Sequence, residues 1–346
     1  MSATGIYIYG IVPNFYGTTH FQSLENSGVY AITYQNISAI VADRDGTVLN
    51  YNDRESLGYL LVNHQETIEE LQKKGFTMII PMRLGTIAGS VDEVLNILTC
   101  GHNLIINTLK EIEYLTEIDL VATWADFPSV LTGISTHPDI IALKEEIQSH
   151  DGQISMVEQV KAGMLMKEIL DTKNKDAELK ILNALSAFGL DIKMHEVMND
   201  QMIVNAAFLI NRAKTDKFHH AIDQLDESYK DLLNFKLVGP LPCYSFFTLE
   251  VKEVNPELVV NARKRLGIKE KTTESEIKKA YLEKAKLFHP DNNPNDDDTE
   301  NFNLVLKDYH TLLDCVAAAR QTSKEEVISL SSTNISENMI LVKIKD

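Results

Sequence analysis

Within the first 125 positions the apolar residues repeatedly change period, and nothing else in this chain limits its fold as strongly. Residues 6–12 (Ile-Tyr-Ile-Tyr-Gly-Ile-Val) are β-branched and aromatic, the composition of a strand. Residues 29–33 and 37–43 are two further runs of this kind, and Gln35 and Asn36 between them predict a hairpin. Leu57, Leu60, Leu61, His64, Ile68 and Leu71 then recur at helical spacing and define one face of an amphipathic helix. Asn52 or Asp53 is suited to its N-cap and Gly75 to its C-terminal stop. A short apolar strand at 76–81, a helix over 91–113 and a strand at 118–125 follow. The order β-ββ-α-β-α-β predicts a small α+β sandwich of the ferredoxin-like kind, with one face of the sheet covered.

Pro128, Gly133 and Pro138 interrupt residues 126–139, where a first domain boundary is expected. Helices at 140–149, 157–170 and 176–188, a hairpin of 190–197 with 202–210, a helix at 216–233 and a strand at 244–251 make a second α+β unit. From Pro256 the chain turns helical and locally basic, with Arg263, Lys264 and Arg265. Thr273 and Glu276 form a capping box that opens a helix running to Phe288, and His289-Pro290-Asp291 ends it. Phe302, Val305, Tyr309 and Leu312 share one face of a last helix. The expected organisation is therefore α+β: domains at 1–126 and 139–254, a small all-α module at 256–320, and a tail at 321–346 with a strand at 340–344.

Charge and motif content exclude several functions. Fifty acidic against 33 basic residues give a formal charge of −17, which opposes the phosphate attraction behind nucleic-acid binding. Cys100, Cys243 and Cys315 form no CxxC pair, so neither a zinc site nor a disulfide framework is expected, and a reducing cytosol fits. No basic leader precedes an apolar run at the N-terminus, and Asn96, His102, Asn103 and Asn107 break up the uncharged stretch 94–109. A cytoplasmic protein with no membrane span is expected.

Gly-rich phosphate loops, GxSxG and HExxH are absent from the sequence, so no catalysis, cofactor or metal is expected. His64 reads as a core histidine satisfied by a backbone carbonyl. His219 and His220 are adjacent and point to different sides of their helix. Asp296, Asp297 and Asp298 are consecutive rather than alternating, which suits a solvated loop better than calcium. Arg83, in Pro81-Met82-Arg83-Leu84-Gly85-Thr86, either clamps a carboxylate ligand or pairs internally with an acid. An enzyme built on Arg83 would need a charged pocket with a nucleophile or base, for which the sequence offers no candidate.

Residues 262–268 (Ala-Arg-Lys-Arg-Leu-Gly-Ile), 276–281, the triplet His289-Pro290-Asp291, and Phe302 and Tyr309 together resemble the J-domain of DnaJ-type co-chaperones over 256–320. That resemblance implies a basic second helix meeting an acidic face of a DnaK-type ATPase, with the triplet triggering ATP hydrolysis in the partner. Lys278, Lys279 and Lys286 supply the positive surface, which would steer association. Leu282, Glu283 and Leu287 stand where the family usually has basic residues, and Asp308 stands where it has a small apolar one.

The first 250 residues resemble the gas vesicle accessory proteins GvpL and GvpF. The resemblance rests on residues 6–12, the helix around His64, residues 80–86 followed by 91–98, and residues 239–246 (Gly-Pro-Leu-Pro-Cys-Tyr-Ser-Phe). It implies two α+β domains, the N-terminal one a modified ferredoxin-like fold, and a non-catalytic role in gas vesicle assembly. It also implies contact with the small, apolar shell protein GvpA and association with the gas vesicle. Pro81, Met82, Arg83, Gly85 and Thr86, beside an open sheet edge, are the expected contacts. The expected function is to keep GvpA soluble or deliver it to the growing vesicle, with a DnaK-type chaperone recruited by the J-like module. The alternative is a general J-domain co-chaperone that stimulates DnaK ATPase and binds diverse clients through its N-terminal region.

Overall fold

β1 (Gly5–Pro13) is buried along its whole length apart from Gly5. Side chains alternate across a strand, so Tyr7 and Tyr9 lie on one face and Ile6 and Ile8 on the other. Both faces are therefore covered, not the single face that the sequence predicts. The computed structural model describes residues 5–14, 28–44, 54–148, 154–288, 296–323, 325–331, 335 and 339–345.

β2 (Val29–Tyr34) and β3 (Ile37–Arg44) form the expected hairpin, turning at Gln35 with φ 52°. β3 pairs antiparallel with β1, and β1 pairs on its other edge with β4 (Ile80–Pro81) and β5 (Ile87–Ala88), giving the order β2-β3-β1-β4. α1 (Arg54–Lys73) buries Leu60, His64, Ile68 and Leu71, while Leu57 and Leu61 of the expected apolar face are exposed. The stripe is narrower than predicted because only residues four or so apart meet the sheet. Asn52 and Asp53, the expected caps, lie outside the described residues. α2 (Val91–Ile112) buries Val94, Leu98, Ile105 and Leu109.

β6 (Leu115–Trp124), expected to complete the first sheet, is the centre of a second one, with order β7-β8-β6-β9. Its partners are β8 (Met202–Asn211) and β9 (Leu233–Leu241), and β7 (Gly189–Met194) closes the expected hairpin with β8. The change of unit thus comes at Ile112 rather than at 126–139: one unit comprises Met1–Glu111 with Phe247–Asp346, the other Ile112–Phe246. The residues with Pro and Gly open instead α3 (Phe127–Ser135) and α4 (Pro138–Gln148), where proline occupies the first turn without losing a helical hydrogen bond. The helices expected at 157–170 and 176–188 are one, α5 (Met156–Leu185), because residues 171–175 contain neither Gly nor Pro and nothing breaks the ladder. α6 (Thr215–Ser228) and the short α7 (Tyr244–Phe247) complete this unit. Its core joins Ile118, Leu120 and Trp124 of β6 to Phe208 of β8, Phe218 of α6 and Ile181 of α5.

The strand expected at 244–251 begins later, as β10 (Leu249–Glu253), and belongs to the first unit. Three helices follow: α8 (Pro256–Leu266), α9 (Glu274–Phe288) and α10 (Asp296–Thr322). Asn255 caps α8 through Glu257 and Leu258 N–H, and Gly267, left-handed at φ 72°, ends it. Residues 271–272 and 328–329 pair as β11 (Lys271–Thr272) and β12 (Ile328–Ser329), and the tail strand appears at its expected place as β13 (Ile340–Ile344), antiparallel to β10.

Candidate functional site

Residues 80–88 run along β1 as a strand with a bulge. Ile80 and Pro81 face Ile11 and Gly10, Met82 N–H donates to Tyr9 O at 2.9 Å, and Ile87 and Ala88 face Tyr7 and Ile6. Arg83, Leu84 and Gly85 loop out between these contacts, and Gly85 adopts φ 84°, a conformation other residues resist. Beneath the loop, Gly85 N–H donates to the Tyr7 oxygen at 3.4 Å, while the Tyr7 hydroxyl lies 2.8 Å from His64 Nδ1. Burial lowers His64 to about 4, so it is neutral. Its partner is this hydroxyl, not the expected carbonyl.

Pro81 and Met82 are buried, whereas Arg83 is exposed and Gly85 and Thr86 are half-buried. Arg83 pairs with Glu250 of β10, the internal salt bridge rather than a free clamp. The edge expected to be open is occupied: Met82 bridges Leu249, and Arg83 N–H donates to Leu249 O at 2.8 Å.

α9 carries the second group of expected contacts. Its capping box is formed as predicted, with Thr273 N–H on Glu276 Oε2 at 2.9 Å, a bond that lowers the Glu276 carboxyl. Ile277 and Ala285 are buried, and Tyr281 stacks on Tyr309 of α10 with ring centroids 4.2 Å apart. Lys278, Lys279 and Lys286 consequently sit on the exposed side, together with Leu282, Glu283 and Leu287. His289, Pro290 and Asp291 lie outside the described residues. Asp308, the departure noted above, is buried and receives Arg265 Nε at 2.6 Å, so an ion pair with α8 replaces an apolar contact.

Two features of the second unit are invisible in the sequence. Glu117 on β6 is buried and accepts Ser245 N–H and Ser245 Oγ–H, each at 2.8 Å. Burial pushes Glu117 up to about 7 and raises the adjacent Asp119 as well. His195 lies 3.4 Å from Ser245 Oγ, so Glu117, Ser245 and His195 gather at the turn into α7, which the two Glu117–Ser245 bonds hold in place. Elsewhere a cavity of about 680 Å³ is lined by Trp124, Ile134, Ile169 and Tyr229 together with Lys173 and Lys180. Among the described residues no group of three or more His, Cys, Asp or Glu could hold a metal, and no helix is long and apolar enough to cross a membrane.

Two antiparallel sheets of like strand order, followed by a helical module, define an α+β protein of the GvpF fold. Crystal structures of gas vesicle protein GvpF from Anabaena sp. PCC7120 and from Microcystis aeruginosa align with TM-scores of 0.57 and 0.54, each at 20% identity, covering 70% of this chain and 97% and 98% of theirs. Residues 5–248 match the family described as gas vesicle synthesis protein GvpL/GvpF, and the chain belongs to it. Gas vesicle protein F of Dolichospermum flosaquae is 25% identical over 253 residues, 71% of this chain and 98% of that protein. Residues 264–320 are a DnaJ domain, and the mitochondrial DnaJ homolog 1 of Saccharomyces cerevisiae is 34% identical over 87 residues, 25% of this chain and 17% of that protein.

Proposed function

We propose that this chain is a non-enzymatic gas vesicle assembly factor that holds the shell protein GvpA and brings a DnaK-type chaperone to it. The observation that carries the reading is the fusion itself: a GvpL/GvpF module and a DnaJ domain with an exposed basic helix, in a chain of net charge −17. A shell subunit must expose apolar surface before it assembles, and such surface aggregates unless covered. Lys278, Lys279 and Lys286, followed by His289, Pro290 and Asp291, would engage the chaperone. On the N-terminal side the contact is drawn to the tip of the bulge, exposed Arg83 with half-buried Gly85 and Thr86, and to exposed Ile87 beside them. Pro81 and Met82 support the bulge from below, and strand addition at this edge is excluded by Leu249.

Retention of GvpA on the immobilised protein and stimulation of DnaK ATPase test the two halves separately. His289→Gln should abolish stimulation and leave GvpA retention intact; Ile87→Glu should do the reverse. Failure of the wild-type protein to retain GvpA would sink the proposal. The alternative, a general J-domain co-chaperone, draws support from exposed Met156, Val157, Val160 and Met164 on α5, an adaptable apolar stripe. It predicts retention of unrelated unfolded clients that is lost on Met164→Glu, with no preference for GvpA.

A further inference from the structure

We propose that residues 325–331, 335 and 339–345 act as a strap that locks the DnaJ-type helices to the N-terminal sheet as a single body, with the strand Ile340–Ile344 as its clasp. The helices do not close their own core. Val259, Leu266, Ile277 and Leu312 share one apolar cluster with Ile328, Leu330, Ile335 and Leu341 of the strap. Withdrawing the strap would return those helix surfaces to water.

The clasp is held from three sides. On one edge it follows β10 in register from Leu249↔Ile344 to Glu253↔Ile340, extended by Lys345 N–H to Thr248 O at 2.7 Å and Val254 N–H to Met339 O at 2.9 Å. On the other edge the Gln321 carboxamide stands in for a neighbouring strand: Val342 N–H donates to Gln321 Oε1 at 3.1 Å, and Gln321 Nε2 donates back to Val342 O. The backbone groups that an edge strand would leave open at Val342 are thus satisfied within the chain. On the third side lies α2, where a Cβ added at Gly101 would stand 2.8 Å from Val342 Cγ1. That helix approaches the clasp as closely as it does only because position 101 has no side chain.

β10 in turn is fastened to the first sheet through Met82, Arg83 N–H and the Arg83–Glu250 pair, and to α10 through Lys252 Nζ and Asp314 Oδ2 at 3.0 Å. A second tie, β11 with β12 and Leu330 N–H to Glu270 O at 2.7 Å, fixes the loop that opens α9. The DnaJ-type module is therefore no tethered appendage. If the functional reading above holds, a chaperone docked on α9 is carried at a fixed place relative to the bulge at Arg83; the lock itself does not depend on that reading.

Methyl relaxation on the intact chain should give Ile40 of the first sheet and Ile277 of α9 one rotational correlation time; two distinct times would overturn the lock. Gly101→Val and Gln321→Ala press and loosen the clasp from opposite sides. In each, amide exchange across Leu249–Glu253, Ile340–Ile344 and α8–α10 should rise by about tenfold or more, with β6–β9 unchanged. Faster exchange confined to Ile340–Ile344, or none, would show that the strand is an ornament on a self-sufficient module. Lack of ATPase stimulation by the wild-type protein, with a single correlation time, would remove the chaperone reading and leave the lock standing.

Discussion

The two sheets share a strand order, with the third strand between the second and first and the fourth on the far edge of the first, yet they finish that far edge differently. In the second unit β9 spans Leu233–Leu241 and pairs with β6 over nearly its whole length. In the first, β4 is only Ile80–Pro81, and β10 and β13 from the other end of the chain continue beyond it. Pro81 has no N–H to donate, and after one more bond to β1, from Met82 N–H, the chain swings out at Arg83. One sheet is complete in itself; the other meets a separate two-stranded sheet, β10 with β13, through the bridge between Met82 and Leu249. The difference teaches that a sheet whose last strand is cut short leaves a place where strands from the far end of the chain can fasten.

The sharpest way to break this comparison is to remove the core of the self-contained sheet. Phe208 is fully buried, with its ring 5.2 Å from that of Phe218. Phe208→Ala should cost about 3–5 kcal/mol. Trp124 is the chain's one tryptophan and sits in this unit, so its fluorescence reports the loss directly. Amide exchange in β1 and β3 should stay at wild-type rates; if they open together with β8, the two sheets are one cooperative body.

A somewhat smaller effect is expected where the attached module departs from its relatives. Arg265→Ala leaves the buried Asp308 carboxylate without its cation and should destabilise α8–α10 by about 3 kcal/mol. Asp308→Ala leaves only a half-exposed guanidinium that can turn to water, so its cost should be clearly less. Equal costs in denaturant titrations would mean that the pair is not buried as described.

The units should also answer pH with opposite signs. His64 in the first unit is lowered from 6.5 to about 4, so its folded form binds fewer protons than the unfolded chain. Stability from this site is complete above about 6.5 and lost as pH falls toward 4. Glu117 in the second is raised from 4.5 to about 7, so stability is complete below about 4.5 and lost as pH rises through 7. Exchange measured unit by unit between those limits should show opposite slopes. Glu117→Gln should reduce only the second slope, to which Asp119 also contributes, and His64→Gln should flatten only the first; slopes of one sign would refute one of the two assignments.

Much of this was legible in sequence, and what was not has a common physical origin. The hairpins, the capping box at Thr273 and the tail strand at 340–344 are signalled by local chemistry and sit where predicted. The owner of β6 and of β10 was misread, because pairing partners distant in sequence leave no periodic trace in the strand itself. For the candidate site, the exposure of Lys278, Lys279 and Lys286 follows from helical spacing around Ile277, Tyr281 and Ala285. Arg83 was legible as a cation after a strand, but its partner Glu250 was not, since any of fifty acids qualified. Glu117 gave no signal at all: a carboxylate inside a strand reads as solvated until Ser245 is seen to cover it.

The finest test uses one device placed in both units. Ser155 and Glu158 cap α5 reciprocally, with Ser155 N–H on Glu158 Oε2 at 2.7 Å; Thr273 and Glu276 cap α9 likewise. Removing either hydroxyl as Ser155→Ala or Thr273→Ala should cost the helix end about 1 kcal/mol. The consequence differs with what lies next. α5 buries nothing before Leu170, so the loss at Ser155 should appear as faster exchange in its first turns with no change in global stability. α9 buries Ile277 one turn in, so the loss at Thr273 has to pass into the cluster it shares with Leu312 and Leu330 and lower the unfolding midpoint of the first unit. A global shift from Ser155→Ala, or a purely local one from Thr273→Ala, would contradict the idea that the attached module is bound into its host while the front half of α5 stands clear of any core.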